Sequence, residues 1–368
     1  MEVVYRILAI NPGSTSTKVA VFENDEKLFD KNLSHAAEEL AQFREIPDQK
    51  AYRRDVIIQA LREAGFRLED MDAFVGRGGG MEPCEGGTYP VEGILLEHAA
   101  TCHAAKHPSV LGAVLSHEFA QATGKPAFIV NPPDVDELQD VARITGVRGV
   151  YRQSRFHALN HKEVGRRAAA SLSGKYEQCN LIIAHIGGGI SIAAHRQGRV
   201  VDVNDIINGD GPMAPTRCGG VPVAGILDLL KDHSPAEIRE MTTKSGGIVS
   251  LLGTSDMREV SRRASAGDGK ARLVYDAMLY QIGKAIGSCA AVLHGRIDAI
   301  VLTGGISYDA YAVESLREMI SFLAPVLVFP GENEMEALAA GALRVLRGEE
   351  QLKHYDGLPA WKGFDWDR

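Results

Sequence analysis

The stretch Ile7–Phe22, ILAINPGSTSTKVAVF, decides the fold of this chain. An apolar run leads into the polar turn 11–18, and a second apolar run, Val19–Phe22, follows at once. The turn suits a phosphate, because glycine admits a close backbone approach, hydroxyls donate hydrogen bonds and Lys18 supplies positive charge. A Walker P-loop would need a second glycine and a following helix. VAVF instead predicts a strand, so the motif indicates a phosphate-binding hairpin, with an ordinary polar loop as the alternative.

The same pattern recurs about half a chain later. Asn180–Ile186 is an apolar run, Gly187–Gly189 form the turn and Ile190–Ala194 follows. Each copy continues through a tight turn into a third predicted strand, Lys27–Asn32 in the first and Val200–Val203 in the second. Repeats this far apart predict two similar domains rather than a solenoid, whose repeats are ~20–50 residues long. Two such turns facing each other across a cleft could hold one nucleotide, although three glycines also occur in flexible bulges.

Two further strand ends carry glycines. The first lies in Ile297–Ser307, which predicts a buried strand over Ala299–Thr303 that ends in two glycines before a helix. The second is the run Ala73–Gly76, which places Arg77 at a strand end. Ligands of α/β sheets gather at the carboxyl ends of strands, and a plain strand-to-helix turn is the alternative. Because strands alternate with helices along the chain, the predicted class is α/β.

Size, charge and cysteine usage narrow the class of protein. A chain of 368 residues predicts two domains. The net charge of −8 offers no general attraction for nucleic acid or an anionic membrane. The N-terminal stretch lacks the features of a signal peptide, and no apolar run is long enough to span a bilayer. The five cysteines never form a C-x-x-C pair, so a reducing, cytoplasmic location is expected.

Several residues fit the needs of phosphoryl transfer, which are positioning, a divalent cation and positive charge around the moving group. Arg77 and Arg217 lie among glycines, and an arginine fork matches carboxylate or phosphate geometry. The usual fate of an arginine, a surface or ion-paired position, is the alternative for each. His157 lies at the start of a helix predicted over Phe156–Gly174, where it could donate to a phosphoryl oxygen, and a helix-capping or core histidine is the alternative. 

Two more candidates lie next to these motifs. His185 directly precedes the triple glycine, where it could donate to a phosphate or fill the strand. Glu334 starts the last predicted helix and could bind magnesium through water. A favourable charge on the helix dipole is the simpler account of Glu334.

With these pieces assembled, the chain resembles the acetokinase family and, within it, the butyrate kinase branch. The matching stretches are spread over nearly the whole chain in family order. They are 10–18 (INPGSTSTK), 76–80 (GRGGG), 154–164 (SRFHALNHKEV), 184–204 (AHIGGGISIAAHRQGRVVDVN), 208–212 (NGDGP), 216–219 (TRCG), 252–260 (LGTSDMREV), 300–307 (IVLTGGIS) and 329–338 (FPGENEMEAL).

The resemblance implies a fold and a reaction. The expected fold has two similar α/β domains of the actin-like ATPase (ribonuclease H-like) type, with mixed sheets flanked by helices and the active site in the cleft between them. The first domain would span 1–132 plus 335–368, including a returning C-terminal helix, and the second, nucleotide-binding, would span 133–334. The implied reaction is reversible, Mg²⁺-dependent transfer of the γ-phosphate of ATP to a short-chain carboxylate, butyrate or a branched relative, giving ADP and an acyl phosphate. The implied partners are that acid, its acyl phosphate and further copies of the chain, as a dimer or larger, with neither nucleic acid nor membrane.

The resemblance also assigns roles by position. The implied catalytic residues are Asn11 near the transferring phosphate, Arg77 and Arg217 on the carboxylate and the transition state, His157 as a donor to the phosphoryl group, and Asn131. The implied nucleotide-binding residues are Ser14, Thr15, Ser16 and Lys18 in the first phosphate loop, His185, Gly187, Gly188 and Gly189 in the second, and Asp256, Met257, Arg258, Gly304, Gly305 and Ile306 around the adenosine. Asn11 and Glu334 would help to place magnesium.

One position departs from the family pattern. After the strand Ala127–Val130 the family usually has an aspartate, thought to help hold magnesium or activate the carboxylate, and here the residue is Asn131. An amide is neutral and a weaker ligand for magnesium than a carboxylate. The sequence therefore leaves an alternative open, a nucleotide-binding paralogue with weak or no kinase activity.

Overall fold

The computed structural model describes residues 3–367, which divide into two compact units. One unit contains the residues up to Asp136 together with those from Asn333 onward, and the other contains residues 137–332. Each unit is built around its own mixed sheet. Among the described residues, no helix combines the length and the apolar character needed to cross a membrane.

The strands are β1 Arg6–Pro12, β2 Ser16–Glu23, β3 Glu26–Ser34, β4 Ala73–Gly76, β5 Thr88–Pro90, β6 Ala127–Val130, β7 Asn180–Ile186, β8 Ile190–Arg196, β9 Arg199–Val203, β10 Ala299–Gly304 and β11 Val326–Pro330. The α-helices are α1 Ala37–Leu40, α2 Lys50–Glu63, α3 Gly93–Thr101, α4 Leu111–Thr123, α5 Asp140–Arg143, α6 Ala158–Ser171, α7 Val223–Leu229, α8 Pro235–Thr243, α9 Ile248–Leu252, α10 Met257–Ser265, α11 Gly269–Val292, α12 Ala310–Ile320 and α13 Glu334–Leu346. Short 3-10 helices cover Ile46–Gln49, Leu68–Asp70, Pro108–Val110, Tyr176–Gln178, Gly305–Tyr308 and Asp365–Asp367.

The opening motif of the first unit is a hairpin. Strand β1 pairs antiparallel with β2, with Asn11 opposite Lys18 and Pro12 opposite Thr17, and β2 pairs antiparallel with β3. The segment after the polar turn is therefore a strand, as VAVF predicts, and not the helix of a P-loop. Strands β4 and β6 continue the sheet in parallel from β1, and the full order is β3-β2-β1-β4-β6-β5.

The second unit repeats this topology. Strands β7, β8 and β9 form an antiparallel meander, and β10 and β11 extend it in parallel from β7, giving the order β11-β10-β7-β8-β9. In both units the carboxyl end of the first strand and that of its parallel neighbour lie at the same edge of the sheet. This is the edge where the glycine-rich turns predicted from the sequence occur.

The structure differs from the sequence analysis in two local features. Strand β5 adds an antiparallel edge to the first sheet and has no counterpart in the second. It is only three residues long and ends in Pro90, which limits it to an edge and hides it from a pattern search. The helix expected from Phe156 begins at Ala158, because His157 has the non-helical backbone of an N-cap.

Each unit has its own apolar core. In the second unit α11 supplies four large side chains that are fully buried, Tyr275, Met278, Ile282 and Ile286, which pack against the sheet and neighbouring helices. These contacts give α11 the role of a core helix. The first unit has a separate core around β1, β2 and α4.

A buried ion pair joins Glu137, the first residue of the second unit, to Lys162 on α6. Lys162 on α6 donates to both carboxylate oxygens of Glu137, at 2.8 and 2.7 Å, and to the carbonyl oxygen of Gly198. Glu137 also accepts from the backbone N–H of Val200 at 2.7 Å. Burial lowers the pKa of Lys162, and the Glu137 carboxylate opposes that shift. Both charges are thus tied to the edge strand β9 and its turn.

Replacing Lys162 with methionine should lower the free energy of unfolding by about 3–5 kcal/mol, because the Glu137 carboxylate would stay buried without its cation. Urea unfolding followed by circular dichroism measures the change. The control is Lys175→Met, at an exposed position of the same unit, which should change stability by less than about 0.5 kcal/mol. Equal urea midpoints for the two variants would show that the Lys162–Glu137 ion pair contributes nothing to stability.

Candidate active site

A buried arginine, Arg53, donates hydrogen bonds to the polar turn of the first unit. The backbone N–H of Gly13 donates to the carbonyl oxygen of Ser16 at 2.7 Å and closes the turn. Arg53 is fully buried and donates from Nη1 to the Ser16 carbonyl oxygen at 3.1 Å and to the Thr17 hydroxyl at 2.9 Å. The predicted loop residues Ser14, Thr15 and Lys18 are exposed, and Ser16 is half-buried. This arrangement leaves the upper side of the turn open to a ligand.

Arg53 is a residue that sequence reasoning missed. It lies within an ordinary amphipathic helical pattern on α2, where an arginine is expected to be solvated. Its burial becomes visible only when α2 packs beneath the turn, and that burial lowers its pKa.

Asn11 and Glu334, predicted together as a magnesium site, are in direct contact. The Asn11 amide donates from Nδ2 to Glu334 Oε2 at 2.7 Å. Arg77 approaches the other oxygen of the same carboxylate, with Nη2 3.8 Å from Oε1. Glu334 is the first residue of α13, where the helix dipole favours an anion. The structure therefore brings three of the predicted residues of the first unit together.

One carboxylate is enough for a magnesium ion that keeps its waters and is held mainly by substrate phosphates. Within the described residues, no group of three or more histidine, cysteine, aspartate or glutamate side chains could hold a metal by itself. The donor set at Glu334 thus fits a magnesium ion that arrives with the nucleotide. It does not fit a resident zinc-type ion.

Arg77 has unused hydrogen-bonding capacity. Its Nη1 is buried and has no hydrogen-bond partner among the described residues, although its side chain is 12 % exposed. The preceding residue, Gly76 at the end of β4, packs directly against the backbone of Gly112. A Cβ on Gly76 would lie 2.0 Å from the carbonyl oxygen of Gly112, so only glycine fits there. An arginine with an unsatisfied N–H at a strand end is suited to an anionic ligand.

Asn131 has a structural bond that explains its conformation. Its backbone lies in the left-handed region, at φ 40°, which asparagine and aspartate tolerate better than most residues. The Asn131 side-chain Oδ1 accepts from the backbone N–H of Gly87 at 2.8 Å, and its own N–H donates to the Gly87 carbonyl oxygen at 2.9 Å. Asn131 therefore fastens the segment before β5 to the end of β6.

In the second unit, Arg217 lies directly over the triple glycine. A Cβ on Gly189 would come within 1.9 Å of Arg217 Nη1, so only glycine admits the guanidinium there. Arg217 Nε and Nη1 are buried, and neither has a hydrogen-bond partner in the part of the chain that the structure describes. Burial lowers the pKa of Arg217, while Asp205 opposes the shift. Two orphaned N–H groups on a cation beside a glycine turn form a site for an oxyanion.

The two predicted histidines of this unit are stacked. The rings of His157 and His185 are parallel within 16°, with centroids 3.9 Å apart. His185 Nδ1 is 2.9 Å from Asn160 Oδ1, and Asn160 Nδ2 donates to the Glu332 carbonyl oxygen at 2.7 Å. Because the amide orientation is fixed by that carbonyl, Oδ1 accepts and His185 carries its proton on Nδ1.

A cavity of about 840 Å³ opens beside the triple glycine, within the size range of small-molecule sites. Of the predicted nucleotide-binding residues, seven line it: Gly187, Gly188, Asp256, Met257, Arg258, Gly305 and Ile306. Sequence reasoning missed the remaining lining residues, which are Pro215, Ser255, Ser261, Arg262, Ser265, Tyr275, Tyr308, Asp309 and Glu332. Three of these belong to α10, and their helical spacing from Arg258 was a usable signal.

His185, Gly189 and Gly304 do not line the cavity. Gly304 has a packing role instead, because its φ is 86° and a Cβ there would lie 2.5 Å from the carbonyl oxygen of Ile186. It lets the end of β10 approach the end of β7, next to the glycine turn. Asp256 caps α10 by accepting from the backbone N–H of Arg258 at 3.0 Å.

A profile of the Acetokinase family matches residues 139–334, more than half of the chain. The chain belongs to the acetokinase family. Membership supports a carboxylate kinase that uses ATP and agrees with the motifs from which the resemblance was drawn.

Solved structures of acetate and propionate kinases share the fold. Acetate kinase of Porphyromonas gingivalis is 22% identical, with a TM-score of 0.75 over 93% of this chain and 100% of that one. Propionate kinase of Francisella tularensis subsp. tularensis SCHU S4 is 20% identical, with a TM-score of 0.71 over 91% and 98%. Acetate kinase of Entamoeba histolytica is 17% identical, with a TM-score of 0.73 over 91% and 98%. These likenesses confirm the predicted α/β class with mixed sheets flanked by helices.

Changing Gly189 to alanine in this acetokinase-family protein should lower the turnover of acyl phosphate formation roughly a hundredfold or more, because the new Cβ displaces the Arg217 guanidinium. The affinity for ADP, measured by calorimetry, should change less than the turnover, because Gly189, unlike Gly187 and Gly188, does not line the cavity. The comparison variant is Gly188→Ala, at a residue that lines the cavity and whose Cβ would meet no protein atom within 4 Å, so the Arg217 guanidinium should stay in place. A Gly189→Ala enzyme with normal turnover would contradict the role of this contact.

Proposed function

We propose that the chain transfers the γ-phosphate of ATP to a short-chain carboxylate, butyrate or a branched relative, and catalyses the reverse reaction. One observation carries the proposal most directly: Arg217 keeps two buried N–H groups unsatisfied beside a glycine turn and a cavity of nucleotide size. Such a group costs free energy in the ligand-free protein and is retained where an anion completes it.

In the proposed reaction a carboxylate oxygen of the acid attacks the γ-phosphorus. The bond from that phosphorus to the β–γ bridging oxygen breaks, and ADP leaves with the bonding electrons. No proton has to be moved, so catalysis reduces to positioning and charge stabilisation. Arg77 and Arg217 hold the carboxylate and offset the charge of the transferring group, and His157 donates to a phosphoryl oxygen.

The other predicted residues are proposed to bind the nucleotide. Ser14, Thr15, Ser16, Lys18, His185 and Gly187–Gly189 hold phosphates, and Asp256, Met257, Arg258 and Gly304–Ile306 border the adenosine. Asn11 and Glu334 hold the magnesium ion, which when bound neutralises phosphate charge. We further propose that the functional domains are 1–132 plus 335–368 and 133–334, that the enzyme is cytoplasmic and that it self-associates.

A second candidate function is nucleotide binding with weak or no transfer. It is favoured by Asn131, whose neutral side chain is already bonded to Gly87. Against it stand Arg77 and Arg217, since a protein that only binds nucleotide has no need of orphaned arginines for a second anion.

A screen of linear and branched acids from two to six carbons, with ATP, magnesium and hydroxylamine to trap the acyl phosphate, tests the proposed function. We expect the highest kcat/KM for four- or five-carbon acids. Arg217→Ala should lower kcat/KM by roughly 10²–10³-fold, because a donor to the transition-state charge is lost. Arg296→Ala, at an exposed position of the same unit, is the control and should behave as the parent. If none of the acids gave a hydroxamate, the proposed kinase activity would be excluded.

The Asn131→Asp variant separates the two candidate functions. If the amide weakens catalysis, the variant should turn over faster than the parent at saturating acid and magnesium, because a carboxylate is the better magnesium ligand. Aspartate keeps an oxygen that can accept from Gly87, so the fold is expected to be unchanged and thermal unfolding should check it. Equal turnover of the two proteins would remove the case for a weakened enzyme.

A further inference from the structure

A row of hydrogen-bonded side chains runs from His157 into the interior of the second unit. His157 Nδ1 is 2.8 Å from the Ser191 hydroxyl, which is 2.8 Å from His161 Nε2. His161 Nδ1 is 3.2 Å from His195 Nε2, and His195 Nδ1 is 2.7 Å from the Tyr176 hydroxyl. We call these five residues the histidine row. None of its inner members is explained by the binding of nucleotide, acid or magnesium.

Two facing elements supply four members of the histidine row, and the 3-10 helix Tyr176–Gln178 supplies the fifth. His157 and His161 are one turn apart at the start of α6, and Ser191 and His195 lie on the same face of β8. One turn further along α6, Gly165 leaves room for the ring of Tyr176, since a Cβ there would lie 2.6 Å from that ring. The contacts interleave the two elements, so that Ser191, His161 and His195 each lie between two other members of the row.

Burial keeps the inner groups uncharged. Ser191, His161 and His195 are fully buried, and Tyr176 is 3 % exposed. This burial holds the pKa values of both inner imidazoles well below their usual range and raises that of Tyr176 well above its own. Each inner member carries one exchangeable proton, and His157 in its neutral form carries one as well.

The number of protons then fixes the direction of the row. Five members carry five such protons, but they are joined by four hydrogen bonds, so one proton is left over at one end. At the inner end it would be the hydroxyl hydrogen of Tyr176, whose single hydrogen-bond partner among the described residues is His195. A buried O–H without an acceptor is the costly case. Tyr176 therefore donates to His195, and every later bond follows the same direction, outward to His157.

We propose that Tyr176, His195, His161 and Ser191 are positioning residues that set the tautomer of His157, holding its proton on Nε2. Tyr176 donates to His195 Nδ1, His195 Nε2 donates to His161 Nδ1, His161 Nε2 donates to Ser191, and the Ser191 hydroxyl donates to His157 Nδ1. The ring edge of His157 opposite Ser191 is thus a donor. The catalytic meaning of this assignment rests on the proposed function, in which that N–H meets a phosphoryl oxygen.

The neighbouring imidazole provides a built-in contrast. His185 stacks on His157 but carries its proton on Nδ1, because Asn160 Oδ1 is an acceptor. The two stacked rings therefore hold opposite tautomers, and one spectrum of the whole protein can report both.

Long-range ¹⁵N–¹H correlation spectra of the ¹⁵N-histidine-labelled full chain test the proposal. Signals are assigned with single His→Gln variants. We expect His157, His161 and His195 all to show a protonated Nε2 and an unprotonated Nδ1, and His185 to show the reverse. A protonated Nδ1 on His157 in the parent protein would overturn the proposal. This measurement needs no catalysis, so it stands apart from the acid screen that tests the kinase.

The variant Tyr176→Phe tests whether the row acts at a distance. It keeps the ring that packs against Gly165 but removes the donor, so the fraction of His157 with its proton on Nδ1 should rise. Turnover should fall with the remaining Nε2–H fraction, about twofold when half is lost, while KM for ATP and for the acid stays unchanged.

The matched control is Tyr355→Phe, which removes another buried tyrosine hydroxyl bonded to a histidine Nδ1, that of His98, in the first unit. It should leave both the His157 spectrum and the turnover unchanged. A folded Tyr176→Phe protein with the parental His157 tautomer would refute the role of the row. Loss of turnover without any change in that tautomer would refute it equally.

Discussion

In each unit, one strand end packs so tightly against other backbone that only glycine fits. A Cβ on Gly76 would lie 2.0 Å from the carbonyl oxygen of Gly112, and one on Gly304 would lie 2.5 Å from that of Ile186. These contacts set where β4 and β10 end, and the functional groups follow from there. Arg77 comes directly after the first contact, and the glycine turn beside Arg217 lies next to the second. The chemistry of both units thus depends on backbone packing that side chains would prevent.

Unsatisfied donors are the second shared feature. Arg77 and Arg217 each keep buried N–H groups without partners among the described residues, whereas Arg53 has its donors bonded to the turn and to Gln49. The contrast separates a structural arginine from two that are prepared for an anion, although all three carry the same charge. The distinction rests on incomplete hydrogen bonding together with position, at a strand end for Arg77 and beside the glycine turn for Arg217, because Arg6 also has a buried N–H without a partner among the described residues.

Much of the fold could be predicted from the sequence because its signals are local. The apolar runs around 11–18 and around Gly187–Gly189 each predicted a strand, a turn and a second strand, and the repeat predicted the paired sheets. Strand β5 could not be predicted, because three residues ending in proline are too few to show the alternation of apolar and polar residues that marks a strand.

The candidate site was predictable only in part. Glycine, arginine and histidine at motif positions marked the turn and the cavity. The buried roles of Arg53, His161, His195 and Tyr176 have no local signature, since each depends on an element from elsewhere in the chain packing onto it. An arginine, histidine or tyrosine in an amphipathic pattern is the same in sequence whether it faces water or a partner.

The geometry at Asn131 has a consequence for the durability of the protein. Spontaneous deamidation of asparagine proceeds through a five-membered imide that forms when the next backbone nitrogen loses its hydrogen. The next residue is Pro132, which has no such hydrogen. The imide route, by which most asparagines turn into aspartate as a protein ages, is therefore closed at Asn131, and the neutral amide is protected from it.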